Sequence, residues 1–468
     1  MEPQPEPEPE PCPVDVLDPM LGGGIPPSCE HSPVMTKFFL WATAMRFYFI
    51  GADEEMQSFR LVKIDRTEPQ RISFMLDPIV YDAESFQLLL DTLREGNGAG
   101  FSLRATCRGL LGAVRFSKGY YLVLVQRAEK VGEVAGHDVH RVEEITLVAL
   151  DPRHESGFWQ EDTNEAHYRR LFSGVDVTNF FFSYEYDLTH SLQFSMQAQR
   201  VRRNHADVTP QERFLWNYFL LSELQPVDIA TPAETVASML SASLAVGVVC
   251  GFFQQRRISV FGKLYRIVLI SRRSRHFAGT RYRKRGINNR GQAANDVETE
   301  QIVYEEGTVD SEGGGAAAAA PRSASQRFTS FVQVRGSIPL FWTQKTDATD
   351  PKPAVEVQTF DVDFMGTQLH LADLVERYGQ PVVILSLIRK VESGRPRETK
   401  LGHRYEEAIS KLAVHGSKLE CAAAPPFAPV RAECSLPFPF AIASPCARIS
   451  RHLCVWQGFA GPQEAQSE

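Results

Sequence analysis

No Cys-x-x-Cys pair occurs in this 468-residue chain, and its eight cysteines are too sparse for a disulfide scaffold. Zinc-ribbon and thioredoxin-like readings therefore lose their signature. The cysteines read as free thiols of a reducing compartment. The first residues, M-E-P-Q-P-E-P-E-P-E-P, lack the basic and apolar regions of a secretory leader. Positive charge is not in surplus either: 50 Lys+Arg face 57 Asp+Glu, a formal net charge of −7. That balance argues against a general nucleic-acid binder. Long apolar runs are scarce. Residues 235–253 are uncharged over 19 positions, about the length of a membrane span, but Ser238, Ser241, Ser243 and Gly247 dilute them. They read instead as a buried helix leading into a strand.

One stretch departs from this average. Between Arg256 and Arg290 stand twelve Lys/Arg and no Asp/Glu. The chain then turns acidic in A-N-D-V-E-T-E-Q, residues 294–301. Positive charge this concentrated, in an acidic chain, usually faces a phosphate-rich partner.

Residues 1–33 are Pro/Glu-rich and cannot bury a core, so a disordered tail is expected there. Order should begin near Lys37. From Phe59 to Leu150 the pattern is mainly β: F-R-L-V-K-I and R-G-L-L-G-A-V-R-F alternate, and Lys118-Gly119 reads as a turn. A helix over 85–94 puts Phe86, Leu89, Leu90 and Leu93 on one face. F-F-F-S-Y-E-Y-D-L-T, 180–189, reads as an aromatic core strand. T-P-Q-E, 209–212, has the form of a capping box opening the helix E-R-F-L-W-N-Y-F-L-L. Beyond it, R-I-S-V-F and Y-R-I-V-L-I-S flank a Gly262-Lys263 turn. A helix, L-A-D-L-V-E-R-Y-G, precedes the apolar strand P-V-V-I-L-S-L-I, 381–388. The expected fold class is α/β, α+β overall: a sheet-rich domain at 37–205, then an α/β stretch at 206–412 with a low-complexity surface loop at 311–325. Residues 413–468 keep no period and read as a poorly ordered tail.

The basic block and its acidic sequel contain words of a known family. S-R-R-S-R-H-F-A-G-T-R-Y-R-K-R-G-I-N-N-R-G-Q-A-A-N-D-V-E-T-E-Q-I-V, 271–303, resembles the signature of Sac-domain phosphoinositide phosphatases. So do L-V-K-I-D-R (61–66), F-F-F-S-Y-E-Y-D-L-T, V-R-G-S-I-P-L-F-W (334–342) and I-R-K-V-E-S-G-R-P-R-E (388–398). The wording is most similar to the plant branch acting on phosphatidylinositol 3,5-bisphosphate. The resemblance implies an N-terminal Sac subdomain followed by a catalytic one, and a location in the cytosol, peripheral on endosomal or vacuolar membranes. It also implies a chemistry that needs no cofactor or metal. A thiolate in a C-(x5)-R-[S/T] loop attacks phosphorus, and the Arg clamps the phosphoryl oxygens.

That loop should follow the I-R-K-V-E segment, and it is absent there. The only C-(x5)-R in the chain is Cys250–Arg256, whose intervening Phe252, Phe253 and Gln254 are too bulky to wrap a phosphate. No catalytic residue is therefore assigned. The tail is either an alternative end of an active gene product or part of a genuine non-catalytic protein. Expected phosphoinositide-binding residues are Arg275, Arg281, Arg283, Lys284, Arg285 and Arg335, within a rim that also includes Arg272, Arg273 and Arg290. Asn295, Glu298 and Glu300 either orient a phosphate loop or pair with the arginines. The expected partners are a phosphoinositide headgroup and an anionic membrane surface, with a protein scaffold as a further partner and no nucleic acid. The alternative to the phosphatase is a non-catalytic lipid-binding or scaffold protein. Cys446, His452 and Cys454 make no convincing metal set, and His137 and His140 read as surface residues.

Overall fold

The computed structural model describes residues 33–97, 100–155, 163–201, 209–224, 231–280, 283–306, 328–344, 354–379, 382–386, 388, 392, 398–414, 422–423 and 453–457. The expected tail at 1–33 and the loop at 311–325 lie outside them, apart from Pro33.

The first sheet contains β1 (Lys37–Ala42), β2 (Arg46–Ala52), β3 (Ser58–Asp65), β4 (Ser73–Leu76), β5 (Tyr81–Asp82) and β6 (Ser102–Cys107). Its order is β4-β3-β2-β1-β6, with β5 paired to β3. The helix expected near 85–94 is α1 (Ala83–Gly96), capped by the Asp82 carboxylate, which accepts from Ser85 N at 2.7 Å. It lays Phe86 and Leu90 on the sheet, with the Phe86 ring stacked 4.1 Å from Phe59. The opposite sheet face packs on Leu110, Leu122 and Leu124 of a second sheet. Covered on both sides, β2 is buried at every residue after Arg46 and reads as an unbroken apolar run. The L-V-K-I-D-R word ends in a buried cation. Arg66 donates to Leu150 O (2.9 Å) and Thr43 O (2.8 Å), and its guanidinium lies 4.0 Å from the Phe47 ring centroid.

The second sheet begins with β7 (Gly109–Arg115), β8 (Tyr120–Val134), β9 (His137–Ala149) and β10 (Phe180–Phe182). Helices α2 (Thr163–Ser173), α3 (Leu192–Val201), α4 (Tyr218–Ser222) and α5 (Pro232–Ser241) intervene or follow. The sheet continues through β11 (Val249–Val260), β12 (Lys263–Arg273), β13 (Val297–Glu305) and β14 (Phe328–Gly336). A small hairpin, β15 (Trp342–Gln344) with β16 (Val355–Val357), leads to α6 (Met365–Tyr378) and β17 (Val382–Ser386). Then come α7 (Glu398–Val414), β18 (Ala422–Ala423) and β19 (Leu453–Gln457). The order is β18-β17-β19-β14-β13-β12-β11-β10-β9-β8-β7. Pairing is antiparallel from β7 to β14 and parallel among β14, β19, β17 and β18. The fold is therefore mixed α and β, antiparallel for the most part, and its main sheet runs through the expected boundary at 205/206.

Several local expectations change. The span-length segment at 235–253 divides into α5 and the start of β11, and among the described residues no helix is long and apolar enough to cross a membrane. The aromatic strand stops at Phe182, because the next residues turn to direct the Leu188 and His190 carbonyls at Arg272. The hairpin turn is Phe261-Gly262, one residue earlier than read, since Val260 pairs with Lys263. The T-P-Q-E word does not cap a helix, and residues 212–217 form turns before the five-residue α4. Tertiary bonds take this backbone: Gln211 N donates to Thr189 Oγ1 (2.7 Å) and Trp216 N to Val248 O (2.8 Å). The capping box that does form is Thr231–Glu234, at the start of α5. The tail read as featureless contributes β18 and β19 to the sheet.

Asn217 holds this irregular segment in place. Its Nδ2 donates to Leu111 O and Val246 O, both at 2.9 Å, and its Oδ1 accepts from Val248 N at 2.9 Å. Asn217→Ala should leave these buried groups unpaired and cost about 2–4 kcal/mol, read as a lowered urea midpoint. An unchanged midpoint would show that the segment is held by packing alone.

Candidate functional site

At one end of the main sheet, β12, β13 and β14 bring together both family words. Arg272, at the end of β12, is fully buried. It pairs with Glu298 through Nη1 and with Glu300 through Nη2, each at 2.7 Å. It also donates to Leu188 O (2.5 Å) and His190 O (2.8 Å). The period-two alternation of V-E-T-E turns both glutamates to one face of β13. Burial opposes the Arg272 charge, but Glu300 and Glu298 outweigh it and hold the guanidinium above its ordinary pKa. Glu300 also accepts from Leu192 N (2.8 Å) and Ser330 Oγ (2.6 Å). Glu298 accepts from the Tyr378 hydroxyl, whose pKa burial and then Glu298 push far up, so it stays a protonated donor. The network continues through Arg377 to Asp373 (2.9 Å), on to Arg213 (2.7 Å), and from Arg213 to Asp296 (3.4 Å).

The loop between β12 and β13 is laced to the V-R-G-S-I-P-L-F-W segment. Ile287 N donates to Leu340 O (3.1 Å), Gly286 N to Ser337 Oγ (2.8 Å) and Ser337 N to Ala294 O (3.0 Å). Gly286 has φ +69°, and a Cβ there would lie 2.2 Å from Leu340 O, so no other residue fits. Asn295, at φ 53°, turns its Oδ1 to accept from Gly279 N at 3.1 Å. Beside this lacing lies an open cavity of about 890 Å³. Arg283 and Arg285 line it, with Phe277, Phe341, Trp342 and Phe360 as an aromatic wall. Arg285 donates Nε to Gln344 Oε1 (3.0 Å), and its guanidinium lies 5.3 Å from the Trp342 ring centroid. Lys284 Nζ lies 4.9 Å from the Phe277 ring centroid. A cavity lined by the Arg283 and Arg285 guanidiniums and walled by aromatic rings can hold a multiply charged phosphate ester, the cations binding the oxygens and the rings packing against the rest.

The expected site residues therefore divide. Arg283 and Arg285 line this cavity, Lys284 lies over the Phe277 ring of its wall, and Arg335 is exposed on β14. Arg281 lies outside the described residues. Arg272 is not on the rim at all but inside the fold. Arg275 is half-buried, donates to Glu212 O (2.8 Å), pairs with the Glu212 carboxylate and lies 4.5 Å from the Tyr218 ring centroid. Of the two roles left open for Glu298 and Glu300, the geometry shows arginine pairing. Cys250–Arg256 lies along extended β11, so its two ends are roughly 20 Å apart and form no loop. Burial also raises the Cys250 thiol, against the pull of Arg273. The cavity's aromatic wall and the Arg213–Asp373–Arg377–Tyr378 relay were not assigned from sequence. No spacing rule joins residues 165 positions apart. Of the metal set, Cys446 and His452 lie outside the described residues, and no His/Cys/Asp/Glu metal cluster occurs among those described. His137 pairs with Glu185 (2.6 Å), while His140 is half-buried.

Arg272→Met should cost about 3–5 kcal/mol, because it strands two buried carboxylates. The triple change with Glu298→Gln and Glu300→Gln should recover part of that loss in chemical denaturation, a non-additivity that simple loss of packing would not give. His370, buried on α6, donates Nδ1–H to Gly291 O at 3.1 Å. Burial depresses its pKa below the ordinary 6.5, outweighing Asp296. The unfolded chain takes up a proton that the folded chain refuses, so this stability is complete above 6.5 and lost as pH falls toward the folded value. His370→Asn should flatten the acid side of a melting-temperature profile; an unaltered slope would assign the acid loss to other groups.

Comparison with known proteins matches residues 108–423 to the SacI homology domain family. The chain is 37% identical over 390 residues to Phosphatidylinositol-3-phosphatase SAC1 of Arabidopsis thaliana, covering 82% of this chain and 39% of that protein. It is 37% identical over 382 residues to Phosphoinositide phosphatase SAC2 of the same plant, covering 81% and 44%. The Polyphosphoinositide phosphatase of Schizosaccharomyces pombe is 31% identical over 397 residues, covering 82% and 44%. The chain thus spans less than half the length of these relatives. With the family model matched across both family words and the sheet end they build, the chain belongs to the Sac-domain phosphoinositide phosphatase family.

Proposed function

We propose that this chain recognises the headgroup of a phosphoinositide, with phosphatidylinositol 3,5-bisphosphate as the preferred lipid, at the cavity lined by Arg283 and Arg285. The observation carrying this reading is that cavity, built jointly by the two most family-specific words of the sequence. Arg335 and Arg290 are further exposed cations of the same two segments. The natural setting is an anionic membrane surface, visited peripherally on endosomal or vacuolar membranes.

Hydrolysis is a separate matter. A Sac-type reaction at the 5-phosphate needs an activated thiolate and an Arg in one loop. Cys250, the only cysteine with an Arg six positions on, lies on a strand with its thiol pKa raised. The described residues support binding of the lipid headgroup; a non-catalytic binding or scaffold role is the alternative to phosphatase activity.

Purified protein should bind vesicles carrying phosphatidylinositol 3,5-bisphosphate, more weakly as salt rises. Arg283→Ala with Arg285→Ala should weaken soluble inositol polyphosphate binding about tenfold or more, with the melting temperature unchanged. Unaltered affinity in that variant would remove the cavity as the headgroup site. Release of inorganic phosphate from the lipid would overturn the non-catalytic alternative.

A further inference from the structure

The β11–β12 hairpin ends in a feature that the fold does not need. Its turn residue Phe261 is 101% exposed, with Leu264 49%, Val260 40% and Ile258 39% exposed beside it. Phe261 also sits at φ 50°, the left-handed region, followed by Gly262 at φ 78°. Two-residue turns of this kind favour Asn or Gly at the first position, and a bulky aromatic there is strained. The ring is thus disfavoured twice, by backbone strain and by solvent exposure, and makes no ring contact among the described residues. Such a residue is suited to a surface outside this fold.

The register adds a second observation. Phe252, Ile258 and Val260 lie on one face of β11, and Phe252 is 46% exposed. The apolar tip therefore continues as a broken apolar stripe along the strand. Behind the tip stand Arg256, Arg257 and Lys263, all exposed. Arg257 pairs with Glu306 (2.6 Å) and Lys263 with Glu305 (2.9 Å), while Arg256 has no ion pair among the described residues. Arg266, further back, is held by Glu133 and Glu306. A convex apolar tip backed by cations suits the interface of an anionic bilayer: the ring enters the acyl boundary and the cations meet lipid phosphates. A protein partner would instead require a matching pocket.

We propose that the Phe261 hairpin tip is a membrane-insertion element for anionic bilayers, separate from the headgroup cavity. It lies at the far end of β11 and β12 from that cavity, roughly 35 Å along the strands. Both can meet one bilayer only when the strands lie along its plane.

The test uses the full chain and vesicles without any phosphoinositide: phosphatidylcholine alone, and phosphatidylcholine with phosphatidylserine. The wild type should co-sediment with the second. Phe261→Asn suits the left-handed turn, so its melting temperature should hold or rise, while its partitioning falls about tenfold or more. Phe261→Trp should keep partitioning. Equal binding by Phe261→Asn and wild type would overturn the proposal. So would a wild type that ignores both vesicles, leaving the tip to a protein. Soluble inositol polyphosphate affinity should be the same in Phe261→Asn and wild type, so this proposal and the cavity reading fail independently.

Discussion

The Arg272 guanidinium, enclosed by Glu298 and Glu300, is the interaction on which the rest of this structure depends. A lone charge so deeply buried would be prohibitive, and two carboxylates with two backbone carbonyls make it tolerable. The carbonyls come from Leu188 and His190, the carboxylates from β13, and the cation from β12. Three separate stretches must therefore arrive together or not at all. Such an arrangement adds little net stability over an apolar core, but it punishes any other register of β12 on β13. A one-residue slip would turn both glutamates to the other face of the sheet.

The same register sets the site. With β12, β13 and β14 aligned, the loop between Arg273 and Val297 must close over the I-P-L-F-W segment, and the lacing through Gly286, Ile287 and Ser337 follows. The cationic cavity thus depends on the strand register that the buried charge pairing enforces. Positive charge in the basic block serves two ends. Arg272 and Arg275 are used up within the fold, while Arg283, Lys284 and Arg290 stay at the surface.

The sequence made the strands and the cation density legible, because both are local properties. The alternation of β3 is visible in a window of eight residues, and so is the amphipathic face of α1, whereas β7, read as alternating, is buried at its first five residues. Local reading failed where distant groups took over the backbone. Thr209 to Glu212 has a cap's composition, but Thr189 and Val248 compete for the amides that a helix would use. Phe180 to Thr189 has a strand's composition, but after Phe182 the chain leaves the sheet, and the Leu188 and His190 carbonyls are taken by the distant Arg272 guanidinium. The division of the arginines into buried and exposed was illegible for the same reason: Glu212, 63 positions from Arg275, carries no mark of its partner.

The three-residue strand β10 makes the main sheet unequal along its width. In the antiparallel part of the sheet every other neighbouring pair shares a ladder of at least six residue pairs, but β9 and β11 are joined in the backbone ladder only through Phe180, Phe181 and Phe182, with two residue pairs on each side. Opening follows the seam of fewest hydrogen bonds, so this waist marks where the sheet divides into cooperative units. Immediately after it the chain passes Leu188 and His190 to Arg272. The buried cation therefore ties the segment that follows β10 to β12, beside the bonds from Gln255 and Arg266 to Glu133 that also cross this line, so side chains supply what the short backbone ladder lacks.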